Sequence, residues 1–206
     1  MRFNRKKFIY LISPTTINNS FYNNLIGVLE SKKVSFFQLR LKNDSFKKKF
    51  KIGKKIQKIC KKFNVKFLVN DDPFLAKKLG ADGCHLGQKD MDINQARKIL
   101  KKKIIGITCH NSIKLAKIAL KNNPDYIAFG AFNYSKTKKI RYKAKIHILH
   151  TIKKITKIPI VAIGGINSKN YKKLLLNKAN FLAISGYIWN NIKYKPSEAI
   201  EKLNEN

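Results

Sequence analysis

Two carboxylates, Asp71 and Asp90, each follow a short apolar run within the stretch LVNDDPFLAKKLGADGCHLGQKD that spans 68–90. The stretch reads as a buried strand, a short helix and a second buried strand. Parallel strands of such a βα unit end on the same side of their sheet, so both acids arrive at one edge. Asn70 stands beside the first acid, and His85 and Gln88 come shortly before the second. Magnesium takes one or two protein carboxylates together with phosphate oxygens and water, which this pair can offer. Acids that follow strands also serve as helix caps or turn formers, and spacing alone leaves both uses open.

A second group is cationic. The run at 34–41 ends in Gln38-Leu-Arg-Leu-Lys42, where a period of two points Gln38, Arg40 and Lys42 to one side. Arg40 is the only arginine between Arg5 and Arg97. A charge that faces an interior needs a counter-charge, and two cations together suit a polyphosphate. Other strand ends offer Thr108 with His110, then Ser135-Lys-Thr-Lys138, then Gly164-Gly165 and Ser185-Gly186. Gly and Ser at the last two ends leave room for backbone N–H groups to approach a phosphate, although ordinary turn glycines are the alternative. Two phosphate pockets, one with a metal, imply a reaction between two phosphorylated small molecules, one of them a diphosphate. His85 and His110 read either as hydrogen-bonding supports or as an acid and a base, whereas His147 and His150 read as surface or packing residues. The chain has no GxSxG nucleophile, P-loop or dinucleotide fingerprint.

These residues need a frame. Apolar runs of strand character lie at 8–12, 34–41, 66–70, 83–87, 104–109, 126–132, 158–164 and 181–188. Helical periods separate them, for example at 92–101, 112–121 and 143–155; Ile93, Ala96 and Leu100 form one such stripe. Eight strand–helix pairs with no spare segment predict a single-domain (β/α)8 TIM barrel over 1–206, with its reactive side chains at the C-terminal strand ends. An open doubly wound sheet is the fallback. The polar break at 133–142 is expected to be a mobile loop.

Net charge is +34, but only five of the 45 basic residues are arginine, and the lysines are scattered. That pattern resembles the residue bias of an AT-rich genome and predicts salt-sensitive sticking to polyanions with no specific nucleic-acid binding. Cys60, Cys84 and Cys109 show no CxxC spacing and predict neither disulfide nor zinc site. The apolar run at 8–12 is too short for a signal peptide or a membrane span, so no membrane partner and a cytoplasmic location are expected. Composition leaves room for a homo-oligomer.

From the first strand to Trp189 the chain resembles the thiamine-phosphate synthase family, within the superfamily that also holds the thiazole tautomerases. The resemblance rests on the order and spacing of Gln38-Leu-Arg-Leu-Lys42, Val69-Asn-Asp71, Leu75-Ala76, Ala81-Asp-Gly-Cys-His-Leu-Gly-Gln-Lys-Asp90, Ile105-Gly-Ile-Thr-Cys-His110, Asp125-Tyr-Ile-Ala-Phe-Gly130, Ser135-Lys-Thr-Lys138, Val161-Ala-Ile-Gly-Gly-Ile166 and Ala183-Ile-Ser185. The wording around Thr108-Cys-His110 and Ala128-Phe-Gly-Ala131 is similar to the branch found in alphaproteobacteria.

The resemblance implies a transferase. It would couple 4-amino-2-methyl-5-hydroxymethylpyrimidine diphosphate to 4-methyl-5-(2-phosphooxyethyl)thiazole, giving thiamine phosphate and pyrophosphate. It further implies that Asp71 and Asp90 hold Mg²⁺, that Arg40, Lys42, Asn70 and Lys138 bind the diphosphate with Thr108 in support, and that Gln38 meets the pyrimidine. Ser135, Thr137, Gly165, Ile184 and Ser185 would bind the thiazole phosphate, with His85 and Gln88 supporting the metal strand. The loop after the sixth strand departs from the family's Gly-Pro, two apolar residues and Thr-x-Thr-Lys, through Ala131, Asn133, Tyr134 and Ser135; Thr108 stands where the family usually has Ser. A thiazole tautomerase, a weakly active ligand-binding paralogue and a basic nucleic-acid-binding protein are the competing expectations. The first of these predicts decay of the cationic and metal positions.

Overall fold

The computed structural model describes residues 7–134 and 141–204. Its parallel strands close into an eight-stranded barrel in chain order. Each strand alternates with helix: β1 (Ile9–Ile12), α1 (Ser20–Glu30), β2 (Val34–Leu39), α2 (Phe46–Lys62), β3 (Lys66–Asn70), α3 (Pro73–Leu79), β4 (Gly83–Leu86) and α4 (Ile93–Leu100) form the first half. The second half runs β5 (Ile104–Thr108), α5 (Ile113–Lys121), β6 (Tyr126–Gly130), α6 (His147–Ile155), β7 (Ile160–Ile163), α7 (Tyr171–Leu176), β8 (Phe181–Ile184), α8 (Gly186–Trp189) and α9 (Pro196–Glu201). Among the described residues no helix is long and apolar enough to cross a membrane.

The closed (β/α)8 barrel is the expected one; most strand bounds agree within two residues of the apolar runs, and three strands end two or more residues early. Apolar sequence continues past the end of β2, of β6 and of β8, but the hydrogen-bonded ladder stops at Leu39, Gly130 and Ile184. Arg40 therefore lies just beyond its strand and not inside it. The residues after β8 turn at once into the short helix α8, so the described residues hold a helix beyond the eight that pair with strands. Its Trp189 explains the turn: Nε1–H donates to the Ile12 carbonyl at 2.7 Å, and the indole packs on Phe21 with ring centroids 5.1 Å apart.

Period two sorts the strand side chains into two cores. Tyr10, Ile12, Phe36, Leu68, Tyr126, Ala128, Val161, Phe181 and Ala183 fill the barrel lumen. Their neighbours, such as Ile9, Leu11, Ile127, Phe129, Leu182 and Ile184, face the helices. Ile93, Ala96 and Leu100 are the buried stripe of α4, as their spacing predicts.

At the opposite end from the strand C-termini, three strand pairs share one device. The residues before β4, β6 and β8 each exchange two hydrogen bonds with the preceding odd strand. Asp82 N–H donates to the Phe67 carbonyl at 2.8 Å while its carboxylate accepts Phe67 N–H at 2.9 Å. Asp125 does the same with Ile105, both bonds at 2.8 Å. Asn180 does so with Ile160, at 2.8 and 2.9 Å. Lys66 and Arg97 complete the first two by ion pairs to Asp82 and Asp125.

Candidate active site

Helix capping falls to the neighbouring acids. Asp72 and Asp92 are the helix caps: their side chains accept the N–H of Leu75 at 2.9 Å and of Asn94 at 2.8 Å. Pro73 at the first position of α3 fixes that register. Asp71 and Asp90, each close to a capping acid in sequence, are left to meet each other at the C-terminal mouth. Asp71 sits immediately after β3 at a left-handed φ of 64°, a conformation that Asp tolerates better than most residues. Its N–H donates to the His85 carbonyl at 2.8 Å, which holds the end of β3 against β4. Asp90 is also a turn former, since its Oδ2 accepts Gly87 N–H at 2.7 Å.

The pair divides its charge unequally. Burial alone would raise Asp71, but the hydrogen bond from the Asp90 carboxyl and the ammonium of Lys42 outweigh it and hold Asp71 below the usual carboxylate range. Burial and then Asp71 push Asp90 the other way, against the Gly87 N–H and Lys42. Of the two carboxyls, Asp90 therefore takes up a proton more readily than Asp71. Lys42 Nζ stands 3.1 Å from Asp71 Oδ2. A cleft of about 220 Å³ opens on the Lys42 and Asp71 side of the pair, bordered also by Asn70 and Asp72 and by Leu39, Leu41, Val69 and Leu75 of the outer core; Arg40 and Asp90 do not line it.

Arg40 is half-buried, and its N–H donates to Ser13 Oγ at 2.9 Å. Ser13 is a knot at the mouth that sequence reasoning missed. Only 3% exposed, it donates its N–H to the Gln38 carbonyl at 2.9 Å, and its own carbonyl accepts Ser185 Oγ–H at 3.1 Å. The ends of β1, β2 and β8 are tied together there. Ile184 turns its side chain to the outer core, which leaves only its backbone to face a ligand.

Gly164 and Gly165 have a packing reason for being glycine. Gly165 has φ +58°, and a Cβ on it would lie 2.0 Å from the Tyr134 carbonyl oxygen. The exit of β6 lies directly on this turn, with Phe132 N–H on the Ile163 carbonyl and Asn133 N–H on the Gly164 carbonyl, both at 3.1 Å. The return leg is fixed as well: Ala131 N–H donates to the Tyr142 carbonyl at 2.9 Å, and the Tyr142 ring stacks on His110 at 4.1 Å between centroids. Ser135, Thr137 and Lys138 lie outside the described residues. So does most of the 133–142 segment expected to be mobile.

His85 is the most constrained polar side chain of the site. It is 8% exposed; Nδ1 lies 2.8 Å from Tyr126 Oη, and Nε2 lies 2.8 Å from Thr108 Oγ1. Burial, with Arg40 adding to it and Asp71 only partly offsetting it, pushes the imidazole down to about 4. It is a neutral hydrogen-bonding residue. Tyr126 Oη continues to Tyr10 Oη at 2.7 Å, which accepts from Gln38 Nε2 at 2.9 Å. Gln88 Nε2 donates to the Thr108 carbonyl at 2.6 Å, so the loop carrying Asp90 is tied to β5. Tyr10 and Tyr126 were legible as inward-facing by their phase, but a tyrosine in an apolar strand carries no mark that its hydroxyl is used. His147 and His150 lie on or at the edge of α6, away from the mouth, with His150 bonded to Asn177 at 2.7 Å.

The arrangement gathers Arg40, Lys42, Asn70, Asp71, Asp90, Thr108 and His85 around the mouth, a setting for an anionic ligand with a divalent cation. The carboxylate pair fits Mg²⁺: two acids close enough to share a proton present the oxygen ligands that the ion takes from protein, with substrate oxygens and water supplying the rest. Among the described residues no group of three or more potential metal-ligating side chains occurs.

Relatives of this chain include several thiamine-phosphate synthases. The chain is 69% identical over 199 residues to the thiamine-phosphate synthase of Pelagibacter ubique, covering 96% of each chain. It is 39% identical to that of Erythrobacter litoralis, covering 88% of this chain and 87% of the relative. The thiamine phosphate pyrophosphorylase structure from Pyrococcus furiosus superposes with a TM-score of 0.84 at 28% identity, over 97% of this chain and 95% of that one. A 3-hexulose-6-phosphate synthase at 13% identity and a TM-score of 0.64 shares the barrel alone. The sequence profile of the thiamine monophosphate synthase family matches residues 9–188, and the chain belongs to that family.

Proposed function

We propose that this chain is a Mg²⁺-dependent thiamine-phosphate synthase acting at the C-terminal mouth of its barrel. The observation that carries the site reading is the meeting of Lys42, Asp71 and Asp90, beside Arg40, at the ends of strands whose neighbours Asp72 and Asp92 already do the capping. A thiazole tautomerase needs no diphosphate site and has no use for this cluster.

In the proposed reaction the bond between the pyrimidine's methylene carbon and the diphosphate oxygen breaks heterolytically, and the electron pair leaves with pyrophosphate. The thiazole nitrogen then donates its lone pair to the pyrimidine cation, forming the C–N bond of thiamine phosphate. Such a step depends on stabilising the departing anion more than on a strong base. Bound Mg²⁺ would supply Lewis-acid stabilisation of the diphosphate oxygens, held by Asp71 and Asp90. Arg40, Lys42, Asn70 and Lys138 bind the diphosphate, and Thr108 donates to it. Gln38 meets the pyrimidine from the barrel floor. Ser135, Thr137, Gly165, Ser185 and the backbone of Ile184 take the thiazole phosphate. Fields from the net charge of +34 help to collect both anions. A cytoplasmic location belongs to the same proposal.

A coupling assay tests it: purified protein, pyrimidine diphosphate and thiazole phosphate, with and without Mg²⁺, scored for thiamine phosphate. Metal-dependent product is expected. A folded protein that makes none, and instead isomerises the thiazole carboxylate phosphate, would overturn the reading in favour of the tautomerase.

A further inference from the structure

We propose that Gln38, Tyr10, Tyr126 and His85 form a one-way hydrogen-bond chain through the barrel lumen that turns the Thr108 hydroxyl outward as a donor to substrate. Tyr10, Tyr126 and His85 are positioning residues: they act through Thr108. The proposal rests on the synthase reading for what Thr108 touches, and on geometry for everything else.

The direction follows from counting protons. Gln38 is 2% exposed and its Nε2 donates to Tyr10 Oη at 2.9 Å. Tyr10 has one hydroxyl proton, and among the described residues its Oη meets only Gln38 Nε2, a donor, and Tyr126 Oη at 2.7 Å, so that proton goes to Tyr126. Tyr126 must then give its own proton to His85 Nδ1, 2.8 Å away. An imidazole that accepts at Nδ1 carries its hydrogen on Nε2, which donates to Thr108 Oγ1 at 2.8 Å. Thr108 Oγ1 receives a hydrogen bond from inside, and its own hydrogen is available for the mouth; among the described residues none accepts it. Each link is enclosed: both tyrosines are buried, and burial raises both phenols far out of the titrating range, so neither loses its proton. No proton is transferred along the chain; it fixes orientations. In water-excluded surroundings, a donor already aimed at the oxygen that gains charge needs no reorganisation during the reaction.

The chain has a builder. Gly106 of β5 pairs with Tyr126 of β6, and a Cβ on Gly106 would stand 1.9 Å from the Tyr126 ring. The missing side chain is the space that the ring occupies.

The test has two independent readouts. Long-range ¹H–¹⁵N correlation on ¹⁵N-histidine protein, with His85 assigned by its loss in His85→Asn, reads the tautomer directly. The Nε2–H form is expected in the wild type, with loss of that single form in Tyr126→Phe and in Tyr10→Phe. The Nδ1–H form in the wild type would mean that the chain runs inward, and would overturn the proposal. The second readout is a double-mutant cycle on kcat. Thr108→Val is expected to lose about 100-fold, the usual size for one donor to a developing anion. Tyr126→Phe is expected to lose about 10-fold or more with KM for both substrates little changed, and Tyr126→Phe/Thr108→Val to be no worse than Thr108→Val alone. Additive losses would make Tyr126 merely structural and overturn the proposal. If Tyr126→Phe does not fold, Tyr10→Phe cuts the same chain one link deeper and enters the same cycle. A wild type that makes no thiamine phosphate would sink the synthase reading, while the tautomer would still decide the chain.

Discussion

Adding one methyl group at Gly106 should damage this protein more than most core truncations. A Cβ there would lie 1.9 Å from Cζ of Tyr126 and 2.2 and 2.3 Å from the flanking ring carbons. Ordinary carbon–carbon contact is about 3.5–4.0 Å, so the ring must retreat by roughly 1.5–2 Å. Its hydroxyl is held on two sides, at 2.7 Å by Tyr10 and 2.8 Å by His85, and neither bond survives such a shift. Leaving buried polar groups unsatisfied costs about 1–3 kcal/mol each, and overpacking adds about 1–3 kcal/mol. The gain from a stiffer unfolded chain offsets only about 0.4–1 kcal/mol. Gly106→Ala should therefore lose roughly 3–8 kcal/mol, a large share of the 5–15 kcal/mol (in order of magnitude) that holds a typical domain. Urea unfolding followed by circular dichroism reads this as a fall in midpoint at unchanged slope. Gly106→Ala/Tyr126→Leu should recover part of the loss, because the smaller side chain removes the clash though not the lost hydrogen bonds. A loss below about 1 kcal/mol in Gly106→Ala would refute the reasoning, since it would mean that the ring has somewhere else to go.

Asp90→Ala should abolish Mg²⁺-dependent turnover while costing only about 1 kcal/mol of stability for its bond to Gly87 N–H; full activity would remove Asp90 from the metal site. Arg40→Leu should raise KM for the pyrimidine diphosphate by about 10-fold or more and leave that for the thiazole phosphate nearly unchanged, as expected for loss of a charged contact to one ligand; equal weakening of both would assign Arg40 a structural role. Cys60, Cys84 and Cys109 are all buried, and burial pushes their thiols up, Cys109 to about 12. Raising a thiol's pKa lowers its thiolate fraction, to roughly one in 10⁴ at pH 8 for Cys109, so a disulfide reagent should label the native protein slowly and all three thiols rapidly in urea. Rapid labelling of the native protein at pH 8 would contradict this burial.

The alternation of apolar runs and helical periods favoured the barrel, because each run is buried on both faces and each helix on one, but alternation alone does not distinguish a closed barrel from an open doubly wound sheet; the pairing of β1 with β8 does. The strand ends were not legible. At the mouth, Leu41, Phe132 and Ile188 remain buried although the ladder has stopped, so apolar sequence continues where strand does not. The choice between Asp71 and Asp72 was half written in the sequence: Pro73 favours the first helical position and marks Asp72 as the cap. Asp92 directly before the Ile93 stripe is the same kind of mark. What the residues did not disclose was the lumen. Period two turns Tyr10, Gln38, His85 and Tyr126 inward, yet only the closing of the barrel brings four different strands' polar tips within hydrogen-bond reach. Gly106 is legible as a space only after the partner ring is seen.

The paired bonds of Asp82, Asp125 and Asn180 divide the barrel in a way the ladder alone does not. Each joins the start of an odd strand to the start of the next even one, β3 to β4, β5 to β6 and β7 to β8. Across the seams from β4 to β5 and from β6 to β7 the described residues show no such exchange. Local opening follows the weakest boundaries between cooperative units. Under native hydrogen exchange the amides of Phe67, Ile105 and Ile160 should accordingly close together with their even-numbered partners, and the barrel should come apart in two-strand pieces. A chain reconnected at a seam, with new termini in the connection at 101–103, would keep every one of these pieces whole.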